Sequence, residues 1–273
     1  HRAGAVLAGA EVPDEGAVPT SALLGLDAPR AAAAVAPRAA YADAGLYLLS
    51  HRRRTAEEVL VLADAGPLGF LGIAAHGHAD ALSFTLSLGG RPILVDPGTY
   101  AYHTEPKWRS YFRSTAAHNT VVVGGRDQSL QQGAFLWSRK ATARVLDWHD
   151  DGDGSRLEAE HDGYAAAGVR HRRRWTLAGN RLEVRDRLVG DGNHHVALHL
   201  HCHPDCTVER HGARLLIVNG PARVWIDPPA GFALEVVLGG EDAGWYSPHF
   251  GRRVGAPTIR ATGTVAANSE WIT

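Results

Sequence analysis

From Tyr41 onward the apolar positions come in short alternating or continuous runs with no long amphipathic helix between them. GLYLLSHRR and EVLVLADAG read as strands, and DAGPLGF as a Gly/Pro loop. The alternation from Leu82 to Leu88 and the run from Ile93 to Val95 flank Gly89-Gly90, the pattern of two strands joined by a tight hairpin. ATARVLDW, RLEAEHDGY, VRHRRRWTL, RLEVRDRLV, HVALHLHCH, RLLIVNG, ARVWID and ALEVVLG follow, separated by turn clusters such as DDGDGS, AGN and GDGN. Strand signals every roughly 8 to 15 residues predict a large antiparallel multi-stranded β-sandwich and argue against alternating βαβ units. Residues 1–40 differ: they are rich in Ala, Gly and Pro, and Pro13, Pro19, Pro29 and Pro37 interrupt any long helix. This segment is expected to be a linker or the remnant of an upstream helical domain, with the sandwich spanning 41–273. The chain opens on His1 and contains no Met, so the start of the gene product is expected upstream and no conclusion about a signal peptide follows.

Composition adds mainly exclusions. A 45% hydrophobic content supports a substantial core. The formal net charge of -1 gives no overall pull toward nucleic acid or membrane, so local patches must carry any preference for a polyanion. No run approaches the roughly 18 apolar residues that suggest a bilayer span. Cys202 and Cys206 are too few for a disulfide scaffold. In a regular strand they would lie about 13 Å apart, so a bridge needs Pro204 to bend the chain.

Candidate chemistry is densest between residues 76 and 123. Read as strand residues, His76 and His78 share a face about 6.5 to 7 Å apart, so one can be a metal ligand while the other does something else. The hairpin returns Asp96 beside His78, and His118 precedes a further strand, Thr120 to Val123, that can reach the same edge. His78, Asp96 and His118 thus form a candidate zinc site, against the alternative of ordinary hydrogen-bonded histidines near turns. Asn119 is expected to fix the turn after His118. Trp108 and Trp137 are candidates for stacking on a ligand or for packing. His199, His201 and His203 alternate onto one face but lack a convincing carboxylate, and read as a sheet face. Arg170 and Arg172 to Arg174 read as a basic strand whose alternate arginines face solvent.

Three ordered segments, HGHADALSF, ILVDPGTYAY and YFRSTAAHNTVVV, resemble the C-terminal domain of the heparinase II/III-like polysaccharide lyases. Weaker similarity continues through GYAAAGVRHRRRWTL and LHCHPDCTV. The resemblance implies a sandwich packed against an N-terminal helical toroid with the substrate cleft between them, and a secreted, periplasmic or cell-surface location. It implies that His78, Asp96 and His118 hold a structural zinc, and that His76 faces the cleft as a catalytic group, against the alternative of a ring that only orients His78 or a backbone carbonyl. It places a functional tyrosine in the loop after Asp96, where Tyr102 fits better than Tyr100; packing is the alternative for both rings. Arg113 is expected either to meet a uronate carboxylate or to pair with an aspartate of the domain. The implied reaction is β-elimination on an acidic polysaccharide such as heparan sulfate, alginate, a hyaluronan-like polymer or a bacterial exopolysaccharide. The toroid's asparagine, histidine and tyrosine are not visible upstream of His76, so catalysis is expected to need that missing domain. The alternatives are a non-catalytic glycan-binding sandwich and a metal-dependent hydrolase with Asp80 as base.

Overall fold

The computed structural model describes residues 39–69, 72–152 and 154–273, so the expected linker or remnant at 1–40 lies almost wholly outside the described residues. Strands are numbered along the chain. The first sheet is a sequential antiparallel meander of β1 (Ala40–Tyr41), β2 (Leu46–His51), β3 (Val59–Asp64), β4 (Phe84–Leu88) and β5 (Arg91–Leu94). The second, in the order β21-β12-β11-β10-β9, uses β9 (Ala143–Asp150), β10 (Gly154–His161), β11 (Val169–Ala178), β12 (Arg181–Gly190) and β21 (Glu270–Ile272). The third, β17-β20-β13-β6, uses β6 (Val121–Val123), β13 (Asn193–His201), β17 (Ala233–Val237) and β20 (Thr258–Ala266). A small sheet joins β14 (Thr207–His211), β15 (Arg214–Asn219) and β16 (Ala222–Ile226), and two ribbons pair β7 (Leu130–Gln132) with β8 (Leu136–Arg139) and β18 (Trp245–His249) with β19 (Arg252–Gly255). This is the expected all-β sandwich.

The alternation seen in sequence explains which face each strand buries. Tyr47 and Leu49 of β2, Val59, Val61 and Ala63 of β3, Phe84 and Leu86 of β4, Leu157 and Ala159 of β10, and Val196, Leu198 and Leu200 of β13 all enter one core cluster. Each large aliphatic or aromatic side chain buried there contributes roughly 1.5–3 kcal/mol. Tyr47 meets Trp148 at 5.1 Å between ring centroids and Phe84 meets Trp175 at 6.5 Å, joining the first sheet to the second. Gly89 and Gly90, at φ 56° and 74°, make the β4–β5 turn, in which both central residues need positive φ. The first sheet continues into the third through the Leu94–Cys202 bridge. Cys202 and Cys206 are both buried and free.

Three features depart from the sequence reading. The helix α1, Pro106–Arg113, interrupts the strands, and its buried stripe is Arg109, Phe112 and Arg113, so two of three inward positions are charged and no apolar period marks it. The long strand β20 is rich in Thr, Ala and Gly and carries little hydrophobic signal. In β11, Arg170, Arg172 and Arg174 lie outward against Glu158 and Glu160 of β10, as a basic face should, but Arg173 points into the core and is fully buried.

Arg173 is met on all sides. Its Nε and one terminal nitrogen donate to the two oxygens of Asp186 at 2.7 and 3.0 Å, and the other terminal nitrogen donates to the carbonyls of Leu82 and Asn119, each at 2.8 Å. His171 completes the group at 2.6 Å from Asp186. Asn119 does more than fix a turn. Its Nδ2 donates to Phe84 O at 2.7 Å and Val95 O at 3.0 Å, and its Oδ1 accepts from the His201 N–H at 2.6 Å, so one amide ties β4, the end of β5 and β13.

Burial alone would raise the Asp186 carboxyl, but Arg173 and His171 outweigh it and hold the group at about 2, below the ordinary 3.8. The unfolded chain therefore takes up this proton first, so the pair's stabilisation is full above the ordinary value and is lost as pH falls toward 2. Asp186→Asn is expected to lower the unfolding free energy by about 3–5 kcal/mol near neutrality. Urea unfolding should show that deficit shrinking between about pH 4 and 2; a deficit constant to pH 2 would contradict the ion-pair account. Asn119→Ala leaves two carbonyls and one N–H unmet and should cost about 2–4 kcal/mol by the same measurement, whereas a loss under about 0.5 kcal/mol would show that the amide does not hold the sheets together.

Candidate active site

The segment bearing His76 and His78 is a turn, not the strand expected from sequence. Ala74 has φ 47° and its carbonyl accepts from the Gly77 N–H at 3.0 Å. A Cβ on Gly77 would come within 3.1 Å of Gly69 N and 3.2 Å of Ala74 O, so the chain passes here at glycine distance. The two histidines consequently face different neighbours instead of sharing a face.

Helix α1 holds this turn. Arg109 and Arg113, one turn apart and 1% and 0% exposed, lie on the same face of the helix. Arg109 donates to Ala75 O at 3.2 Å and to Ala134 O at 3.0 Å. Arg113 donates to Gly77 O at 3.4 Å, Gly133 O at 2.8 Å and Leu136 O at 3.4 Å, and lies 4.2 Å from the Trp137 ring centroid. Arg113 makes no ion pair with an aspartate among the described residues: its three nitrogens donate to carbonyls that link the His76–His78 turn to the β7–β8 ribbon. Trp137 closes the same link, donating from Nε1 to Ala74 O at 3.1 Å.

On the inner side of the turn, His78, Asp96 and His118 converge. One ligand atom from each lies within 4.8 Å of the others, and they are the one such group with metal-holding geometry among the described residues. His118 Nδ1 is 2.8 Å from Asp96 Oδ2, and the His78 and His118 rings are 5.2 Å apart. Asp96 Oδ1 accepts from the Gly98 N–H at 2.9 Å. Burial, reinforced by the neighbouring His118, presses His78 down to about 3, so this ring is neutral. Burial opposes charge on His118 and Asp96 as well, but their mutual attraction and hydrogen bond prevail, holding His118 at about 9 and Asp96 at about 2. Burial also raises two nearby carboxyls, Asp64 to about 6 and Asp80 to about 7. Both His78 Nε2 and His118 Nε2 are buried without a hydrogen-bond partner. Two orphaned imidazole nitrogens beside a carboxylate are a donor set that fits a zinc-like divalent ion.

On the outer side, His76 is exposed and meets Tyr102 at 5.0 Å and Phe135 at 6.2 Å between ring centroids. Tyr102 in turn meets Phe135 at 5.7 Å and Phe250 at 4.6 Å, with the Arg109 guanidinium 5.1 Å from its centroid. The loop that delivers Tyr102 is tight: Ala101 N–H donates to Thr99 O at 2.8 Å around Tyr100, whose φ is 63°. That turn separates the two tyrosines. Tyr100 packs on Phe112 at 5.8 Å and on Trp108 at 6.4 Å, and Trp108 carries the Arg253 guanidinium at 3.8 Å. Phe135, Phe250 and Arg109 lie outside the sequence-predicted set. Single aromatics in turns and an arginine in a helix carry no motif.

In the other histidine-rich strand, β13, His199 and His201 are both buried. His199 and His201 stack at 6.2 Å and 12°. His201 accepts from Thr258 Oγ1 at 3.0 Å and donates from Nε2 to Ala116 O at 3.0 Å, while His203 lies beyond the end of β13. A separate cavity of about 910 Å³, lined by Phe84, Leu200, Trp225 and Trp271 among others, contains none of the predicted site residues.

Comparison with known proteins gives a family match described as Heparinase II/III-like, C-terminal, over residues 33–271. No curated protein matches the sequence. Among solved structures, the chain is similar to a Heparinase III-BT4657 gene product, with TM-score 0.67 and 19% identity over 85% of this chain and 35% of that one. It is also similar to a mutant of the heparan sulfate lyase HepC from Pedobacter heparinus, with TM-score 0.68 and 17% identity over 84% of this chain and 34% of that one. The chain therefore spans about a third of the length of these structures. With the family match extending through both histidine turns and nearly the whole sandwich, the chain belongs to the heparinase II/III-like family, of which it carries the C-terminal domain.

Proposed function

We propose that this domain forms one wall of the cleft of a polysaccharide lyase acting on uronic-acid-containing glycans, with an upstream helical domain as the other wall. The observation that carries the reading is the ring contact between exposed His76 and Tyr102, held from beneath by Arg109 and set beside the His78–Asp96–His118 cluster. In β-elimination a base takes the C5 proton of the uronate, the C4–O4 bond breaks as a C4=C5 double bond forms, and an acid protonates the departing O4. His76 and Tyr102 supply proton-transfer groups to that sequence from this wall. The groups that neutralise the uronate carboxylate belong to the other wall. Arg113 serves by holding the turn that carries His76. His78, Asp96 and His118 would hold a zinc ion, which would act there as a structural crosslink between the segments that carry them.

A hydrolytic reading has one observation in its favour, the Asp80 carboxyl that burial raises to about 7, near the cluster. The products separate the two: elimination leaves an unsaturated uronide that absorbs in the ultraviolet, and hydrolysis leaves a new reducing end without it.

The purified chain is expected to hold about one zinc. His78→Ala, Asp96→Ala and His118→Ala should each abolish it and lower the melting temperature by roughly 5 °C or more. Metal analysis that finds none in the wild type removes the ligand assignment. In the full-length protein, His76→Ala should reduce formation of the ultraviolet-absorbing product by about 10²–10⁴-fold while zinc content stays the same. Unchanged elimination by that variant would favour a role for His76 in binding or structure.

A further inference from the structure

The β18–β19 ribbon is fastened to the loop that carries Tyr102. Ser247 N–H donates to Pro97 O at 2.7 Å and Gly251 N–H donates to Tyr100 O at 2.8 Å. Gly98, at φ 86°, permits the approach, because a Cβ there would lie 2.5 Å from Ser247 O. At the base of the ribbon Arg253 sits between Trp108, at 3.8 Å, and Trp245, at 5.0 Å. The tip is therefore held rigidly, yet its aromatic side chain is left in water: Phe250 is 57% exposed, with its ring edge-on to Tyr102 at 74°.

A single exposed apolar residue needs no explanation. Phe250 differs because it extends a continuous wall, running through Tyr102 to Phe135 and His76 by successive ring contacts. Beneath the wall Arg109 is 1% exposed and one of its terminal nitrogens has no hydrogen-bond partner. Of the charged groups in the segments that frame the wall, residues 103–109 and 245–255, Lys107, Arg252 and Glu105 are exposed, whereas Arg109 is buried and Arg253 lies against Trp108 and Trp245. Arg252, next to the tip, is exposed and has no ion pair among the described residues. Aromatic faces attract the C–H side of a sugar ring, and an exposed cation without an ion pair, as Arg252 is, favours an acidic one.

We propose that the tip of the β18–β19 ribbon is a glycan subsite for an acidic polysaccharide. The apolar face of one pyranose lies against Phe250, Arg252 meets the anionic substituent of that ring, and the adjoining ring is thereby set against His76 and Tyr102. The last step rests on the lyase reading given above; the binding step does not.

The test is affinity electrophoresis of the chain in gels containing heparan sulfate, hyaluronan or alginate, at low and moderate salt, for the wild type, Phe250→Ala, Phe250→Trp and Arg252→Ala, with thermal unfolding as a check on folding. Binding of the wild type to one or more polymers, about tenfold weaker in Phe250→Ala and retained in Phe250→Trp, is the expected result. Arg252→Ala should bind more weakly and with less salt dependence. The proposal is overturned if the wild type binds none of the three polymers, or if Phe250→Ala and Arg252→Ala bind as the wild type does. Ultraviolet-absorbing product, measured in parallel on the full-length protein, reports the lyase reading separately. Phe250-dependent binding without product keeps the subsite and sinks that reading.

Discussion

A guanidinium taken fully out of water costs several kcal/mol unless its donors are met, and the groups that meet Arg173 are those that border the site. Asp186 supplies the opposite charge from β12, while Leu82 O and Asn119 O accept from the side facing the loops. Leu82 follows the turn that bears His78 and Asp80, and Asn119 follows His118. The same Asn119 reaches Val95, the residue before Asp96, and the His201 N–H of β13. The backbone beside each residue of the His78–Asp96–His118 cluster is therefore tied to one satisfied polar core, and the cluster is preorganised by its neighbours as much as by its own contacts.

A second pair of buried cations organises the outer side. Arg109 and Arg113 donate to carbonyls of the His76–His78 turn and of the β7–β8 ribbon, a task for which the fork of an arginine suits better than any apolar side chain. Because the turn has positive φ at Ala74 and is pinned at Ala75 and Gly77, adjacent histidines of one short motif are sent to different surroundings. His78 turns toward Asp96 and His118, where it is neutral, and His76 stays exposed in an aromatic wall.

What was legible in the sequence, and what was not, follows from how each feature is encoded. Period-two alternation marked β2, β3, β4, β10, β11 and β13 because their inner faces are apolar, and Gly89-Gly90 marked its hairpin because the turn needs positive φ twice. Helix α1 was invisible because its inward stripe is mostly arginine, and β20 because Thr and Gly weaken its signal. Arg173 reads in sequence as one more member of a basic run; its burial depends on Asp186, directly opposite it on the neighbouring strand β12, and on the Leu82 and Asn119 carbonyls.

The sequence by itself determined the all-β class and the positions of most strands, since hydrophobic period and turn chemistry are local properties, and its hairpin and motifs pointed to the convergence of His78, Asp96 and His118. Tertiary structure decided which way each polar group faces: that His76 and His78 part company, that Tyr102 and not Tyr100 meets His76, that Arg113 holds carbonyls, and that Phe250 joins the wall from a ribbon far along the chain. These depend on backbone turns with unusual φ and on partners distant in sequence, and no local pattern carries that information.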